Sequence, residues 1–225
     1  MSDMFTYELS DLMLFSERVY WRLFDLENTA LWPMPLLAPL ALLIALGLHA
    51  WRPEAGLRSI CGLLALAWLL VGWNFILQRY APVNWTMTYV GPAFMLQAIA
   101  FAFLAVRGRA MGRNTRPERM TGYGVILAAT LAYPGLALWQ GRTMASAEIV
   151  GIAPDPTAFA SLGVAFLVSG RWHRLAVLAL PCVWLCQSAL TLYALNGPAA
   201  MAPALGLGVG LVGLILLGKR PANPE

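Results

Sequence analysis

Arg107-Gly-Arg-Ala-Met-Gly-Arg-Asn-Thr-Arg-Pro-Glu-Arg119 places five arginines in thirteen residues, between two runs, 85–106 and 122–139, that contain no lysine or arginine. A basic segment bracketed by two apolar runs of membrane-crossing length reads as a connection held on the cytoplasmic side. Working outward, further apolar runs occupy 32–51, 59–78, 157–169, 175–195 and 200–218. Each reads as a helix, because a lone segment in hydrocarbon must satisfy its own backbone hydrogen bonds. Arg52 and Arg58 follow the first run, Arg171 and Arg174 the fifth, and Lys219 and Arg220 the seventh. The alternate connections hold only Arg79 and Arg142. This alternation predicts an outer N-terminus and a cytoplasmic C-terminus. Trp32, Trp85 and Trp139 fall at outer ends and Trp51 and Trp172 at inner ones, where amphipathic rings prefer the headgroup layer.

Composition agrees: 60% of the 225 residues are hydrophobic, only 12% are charged, and mean hydropathy is +0.67. The expected fold class is all-α, a polytopic integral membrane bundle of seven transmembrane helices with an N-terminal amphipathic helix. The run 157–169 is short for a crossing. A re-entrant hairpin there would reverse the charge rule for every later connection, so seven spans are expected, with the short helix held by thinned bilayer or by its neighbours.

Residues 1–31 differ in character. They carry six acidic groups, Asp3, Glu8, Asp11, Glu17, Asp25 and Glu27, against Arg18 and Arg22, and lack the basic start and short apolar core of a cleaved signal. Leu12, Phe15, Val19, Leu23 and Leu26 recur at helical spacing, which predicts an amphipathic helix lying on the outer leaflet or covering the outer mouth of the bundle. The expected division is therefore 1–31 interfacial segment, 32–218 transmembrane domain and 219–225 cytoplasmic tail.

Several chemistries have nothing to stand on. The two histidines, His49 and His173, fall at the cytoplasmic boundary, unsuited to a haem buried between spans. No hydrolase or nucleotide-binding motif occurs, no cofactor is implied, and nothing addresses nucleic acid. Cys182 and Cys186 share one helix face at a spacing too wide for a disulfide. They are candidate ligands for a soft ion, with small apolar packing as the plainer role.

Polar residues gather toward the outer side. Asn74, Gln78 and Arg79 end the second run, and Asn84, Thr86 and Thr88 begin the third. Glu148 and Asp155 precede the fifth, and Gln187, Ser188, Thr191 and Asn196 occupy the outer half of the sixth. At such depth these groups need partners or water, which a shallow outer cavity or interhelical hydrogen bonds would supply. Within Ile149-Val-Gly-Ile-Ala-Pro-Asp-Pro-Thr157, Asp155 before Pro156 reads as an N-cap with proline at the first helical position. If the preceding apolar residues dip into the membrane, the same acid becomes a cation or proton site at depth, with Glu148 beside it.

Tyr7-Glu-Leu-Ser-Asp-Leu-Met-Leu-Phe-Ser16, Tyr20-Trp-Arg-Leu-Phe24, Gly72-Trp-Asn-Phe75, Pro82-Val-Asn-Trp85, Gly151-Ile-Ala-Pro-Asp-Pro-Thr157 and Leu180-Pro-Cys-Val-Trp184 together resemble a bacterial family of multi-spanning membrane proteins classed only as a domain of unknown function. The resemblance runs from Tyr7 to the seventh span and implies a bacterial inner-membrane protein. It brings no chemistry to transfer.

The leading expectation is a small-solute or ion transporter with a site open to the outer side. Asp155 and Glu148 would attract a cation or proton, and Asn74, Gln78, Asn84 and Gln187 would supply neutral ligands. The alternative is a non-catalytic accessory or assembly subunit; an intramembrane enzyme is the third reading. Beyond the lipid bilayer, the candidate partner is a second membrane protein or a second copy of the chain. Gly206, Gly210 and Gly213 form one face of the seventh run, open to close approach by a helix of this bundle or of such a partner.

Overall fold

A computed structural model describes residues 15–107, 114–195 and 198–218, and among them every regular element is helical. Helix α1, Glu17–Ala30, is joined through a cis Trp32–Pro33 bond to α2, Met34–Trp51. Helix α3, Pro53–Leu70, starts on a proline, suited to a first turn whose N–H has no partner, and runs on as a π-helical stretch, Val71–Tyr80. Helix α4 spans Met87–Arg107. Helix α5, Arg116–Leu127, opens with a Thr115/Glu118 capping box and continues through a π-helical turn, Ala128–Ala132, toward the short α6, Gly135–Trp139. Helices α7, Pro154–Ala165, α8, Arg171–Ala194, and α9, Met201–Gly218, complete the order.

Four of these elements are long and apolar enough to cross a membrane: α2, α3 with its extension to Tyr80, α4 and α8. Helix α9 adds a shorter apolar stretch, Met201–Ile215. Their outward faces are apolar too, with Leu36, Leu40 and Ile44 exposed on α2 and Leu96, Ile99 and Phe103 exposed on α4. A helix apolar all round needs either a protein interior or hydrocarbon about it, so these faces are compatible with lipid contact.

Helix α7 is the exception. Its twelve residues cover only ~18 Å, and all but the half-buried Phe159 are buried against α3, α5, α8 and α9. The apolar run expected at 157–169 is thus a helix that starts earlier, at Pro154, and unwinds after Ala165 into a turn through Val168. Enclosure by protein removes any need to match the bilayer. Gly163 of α7 and Gly122 of α5 make this closeness feasible: a Cβ on either would sit 2.8–2.9 Å from the other's carbonyl oxygen.

The described parts of the arginine-bearing connections after α2, α4 and α7 gather at one end of the bundle. Asn114, just before α5, donates to the carbonyls of Phe166 and Leu167 after α7, and His49 at the end of α2 lies 2.7 Å from the Tyr123 hydroxyl on α5. The opposite end is closed by α1, whose Asn28 amide donates to the carbonyls of Ala145 and Ala147, each at 2.8 Å.

Helix α1 buries a different face from the one its aliphatic spacing suggests. Tyr20, Trp21, Leu23, Phe24, Glu27 and Asn28 are buried, whereas Val19 and Leu26 are exposed. The aromatic rings carry more apolar area than Val19 and Leu26, and Tyr20 and Phe24 stack into Phe75 and Tyr80. The glycine face of α9 is spent within the chain, Gly206 on Phe159 and Leu185, and Gly210 on Cys182 and Leu162. The expectations for Asp3, Glu8, Asp11, Leu12, Arg109, Arg113, Asn196, Lys219 and Arg220 lie outside the described residues.

Candidate functional site

The connection from α6 to α7 is built by local turns. Arg142 N–H donates to Ala137 O at 2.8 Å, and Gly141 and Gly151 turn the chain at φ of 72° and 85°. Gly151 N–H then donates to the Thr157 hydroxyl, which donates in turn to Ala153 O, so the loop is locked onto the first turn of α7. That lock sets the position of Asp155.

Asp155 does not cap its own helix. The N-cap position belongs to Ala153, and the Asp155 carboxylate, fully buried, points sideways into the bundle. Its Oδ1 accepts from Trp184 Nε1 at 2.7 Å; its Oδ2 accepts from Ser188 Oγ at 2.6 Å and from the Tyr133 hydroxyl at 3.3 Å. Trp184 and Ser188 are four residues apart on α8 and therefore share a face. Tyr133 follows directly on the π-helical turn Ala128–Ala132 and reaches the same carboxylate. From above, α1 brings the Tyr20 hydroxyl next to Ser188.

Two more carboxylates are buried at this end, Glu27 on α1 itself and Glu148 in the connection before α7. Glu148, 4% exposed, meets Arg142 Nη2 at 3.4 Å, and Glu27, 2% exposed, accepts from Arg79 Nε at 2.9 Å. Each has a buried Oε1 with no hydrogen-bond donor among the described residues. Arg142 is held mainly by other groups: Nε donates to Gln140 Oε1, Nη1 donates to Ser146 O, and the guanidinium lies 3.5 Å above the Trp21 ring. Burial, and then the negative charge of Asp155, hold the Glu148 carboxyl above the ordinary carboxylate range, with Arg142 pulling the other way.

The structure therefore brings Asp155 and Glu148 into one electrostatic cluster, but one closed to solvent where a shallow cavity was expected. The four amides stand apart from it. Asn74 is half-buried and Gln78 exposed on the π-helical stretch. Asn84 accepts from Thr86 at the start of α4 and lies beside the Tyr80 hydroxyl, and Gln187 donates to Thr191 at 3.3 Å along α8. None hydrogen-bonds to either acid. Cys182 packs on Gly210 and Cys186 is exposed; among the described residues no group of three or more His, Cys, Asp or Glu side chains is placed to hold a metal ion.

Sequence reasoning missed the roles of Tyr20, Glu27, Arg79, Tyr133, Arg142 and Trp184. A signal existed for the two arginines, the only cations in the arginine-poor connections and so exceptions to the charge alternation. Each stands there because it faces a buried carboxylate. A cavity of about 790 Å³ opens between α1, α2 and the α5–α6 segment; its lining includes Asn28, Thr130, Ala145 and Ile149, the last adjoining Glu148 in the chain, and not Glu148 itself.

A family model described as a family of unknown function (DUF6064) matches residues 17–220, nearly the whole chain, and the chain belongs to that family. No curated protein and no solved structure matches it.

Proposed function

We propose that this member of the DUF6064 family is a permease-like integral membrane protein that moves a small solute or ion, with the Asp155–Glu148 pair as its working site. In this reading the chain has seven spans in a bacterial inner membrane, the arginine-rich end is cytoplasmic, and residues 1–31 form an interfacial segment on the outer side, with α1 covering the bundle's end. One observation carries it: three buried carboxylates, Glu27, Glu148 and Asp155, face two guanidiniums, Arg79 and Arg142, in the end of an apolar bundle. Buried charge at membrane depth is costly, and a mere structural clip would be expected to balance it. An unbalanced carboxylate next to a side cavity is what a site that takes up and releases a cation or proton requires.

The accessory-subunit reading draws less support, because the two surfaces it would use for docking are engaged inside the chain, the glycine face on α7 and α8 and the apolar face of α1 on Phe75 and Tyr80.

The test is solute-evoked proton or ion movement in proteoliposomes, read by an internal pH dye while a panel of amino acids, sugars and inorganic cations is added. One class is expected to evoke a signal that falls to background in Asp155→Asn, with the variant folding normally. A signal equal in the wild type and Asp155→Asn, or no signal from any of the panel, would overturn the proposal.

A further inference from the structure

The two acids of the cluster are not equivalent. Asp155 is surrounded by donors: an indole N–H can only donate, and two hydroxyls complete a set of three hydrogen bonds on its two oxygens. The 2.6 Å contact from Ser188 falls in the range of a charge-assisted O–H···O⁻ bond. These three donors offset part of what full burial costs the Asp155 carboxylate. Glu148 has the opposite surroundings, with one long contact to a guanidinium already engaged by Gln140, Ser146 and Trp21, and with Oε1 buried and undonated. A carboxylate left so costs its desolvation, and a proton on it removes that cost.

We propose that Glu148 is the proton-binding group of this site: one proton adds to its carboxylate and leaves again. No other bond changes in this step. The inference rests on the same site as the transport reading and names the ion that site takes. The charged and titratable groups facing Glu148 are Arg142 from its own connection, Asp155 from α7, Tyr20 from α1 and Tyr133 from the segment after α5. Tyrosine carries no charge near neutrality, so Asp155 and Arg142 set the balance. Burial and Asp155 together place the titration of Glu148 at about 8, where a proton can be exchanged near neutrality.

The experiment is pH-difference infrared spectroscopy of the full chain in lipid nanodiscs, following the carboxylic-acid C=O stretch. The wild type is expected to show a protonated-carboxyl band that disappears as pH rises through about 8. Glu148→Gln should lack that band, Glu148→Asp should keep one with a displaced frequency, and Asp155→Asn should keep it with the midpoint moved to lower pH, because a neighbouring negative charge has gone. A band that survives Glu148→Gln and vanishes in Asp155→Asn, or the absence of any such band in the wild type, would overturn the assignment. Flux without the band removes the proton assignment and leaves transport standing; the band without flux does the reverse.

Discussion

Trp184 Nε1 donates to Asp155 Oδ1 at 2.7 Å with both side chains buried, so an indole on α8 is the neutral partner of one oxygen of the carboxylate at the start of α7. Trp184→Phe keeps most of the ring volume and removes this donor from a buried carboxylate. The expected cost is about 1–3 kcal/mol of unfolding free energy, more than a neutral hydrogen bond is worth. Denaturant-induced unfolding in mild detergent measures it, and a loss below about 0.5 kcal/mol would show that Ser188 and Tyr133 suffice.

Arg79→Met should loosen α1 from the bundle. Glu27 is left buried without its cation, a situation worth roughly 3–5 kcal/mol when the remaining charge cannot reach water, here reduced because the Arg79 side chain is 34% exposed. Amide hydrogen exchange reads it as lost protection confined to residues 17–30. Adding Glu27→Gln removes the stranded charge, so the double variant should regain much of that protection.

Stability should fall as pH rises. Glu148 titrates at about 8 in the folded protein against 4.5 ordinarily, so the folded state holds the proton more tightly than the unfolded one. Its contribution is complete below about 4.5 and is lost progressively as pH rises through about 8. Thermal melts between these limits should show a decline that is flattened in Glu148→Gln. An unchanged slope in that variant would assign the dependence to other groups.

The long helices were legible because twenty apolar residues in a row leave few other choices. The closing face of α1 was not, since aliphatic spacing pointed to Val19 and Leu26 while the larger rings of Tyr20, Trp21 and Phe24 decided the packing. Asp155 stood out between two prolines, but a proline-flanked acid at a helix start also fits a cap, and its partners Tyr133, Trp184 and Ser188, each more than twenty residues away, separate the two roles. The Glu27–Arg79 pair spans fifty-two positions and has no local pattern at all. Asn74, Gln78, Asn84 and Gln187 were read together because they share a depth, yet depth leaves the direction of each side chain around its helix undetermined.

Helix α7 bears on how such a chain is made. On the seven-span reading it is too short, and begins with a charge too deep, to enter a bilayer by its own hydrophobicity. Two of the helices that enclose it, α8 and α9, are synthesised after it. Its place in the bundle is therefore filled late, once those segments have arrived, and truncation between α7 and α8 should leave α7 at the membrane surface with the outer cluster unassembled.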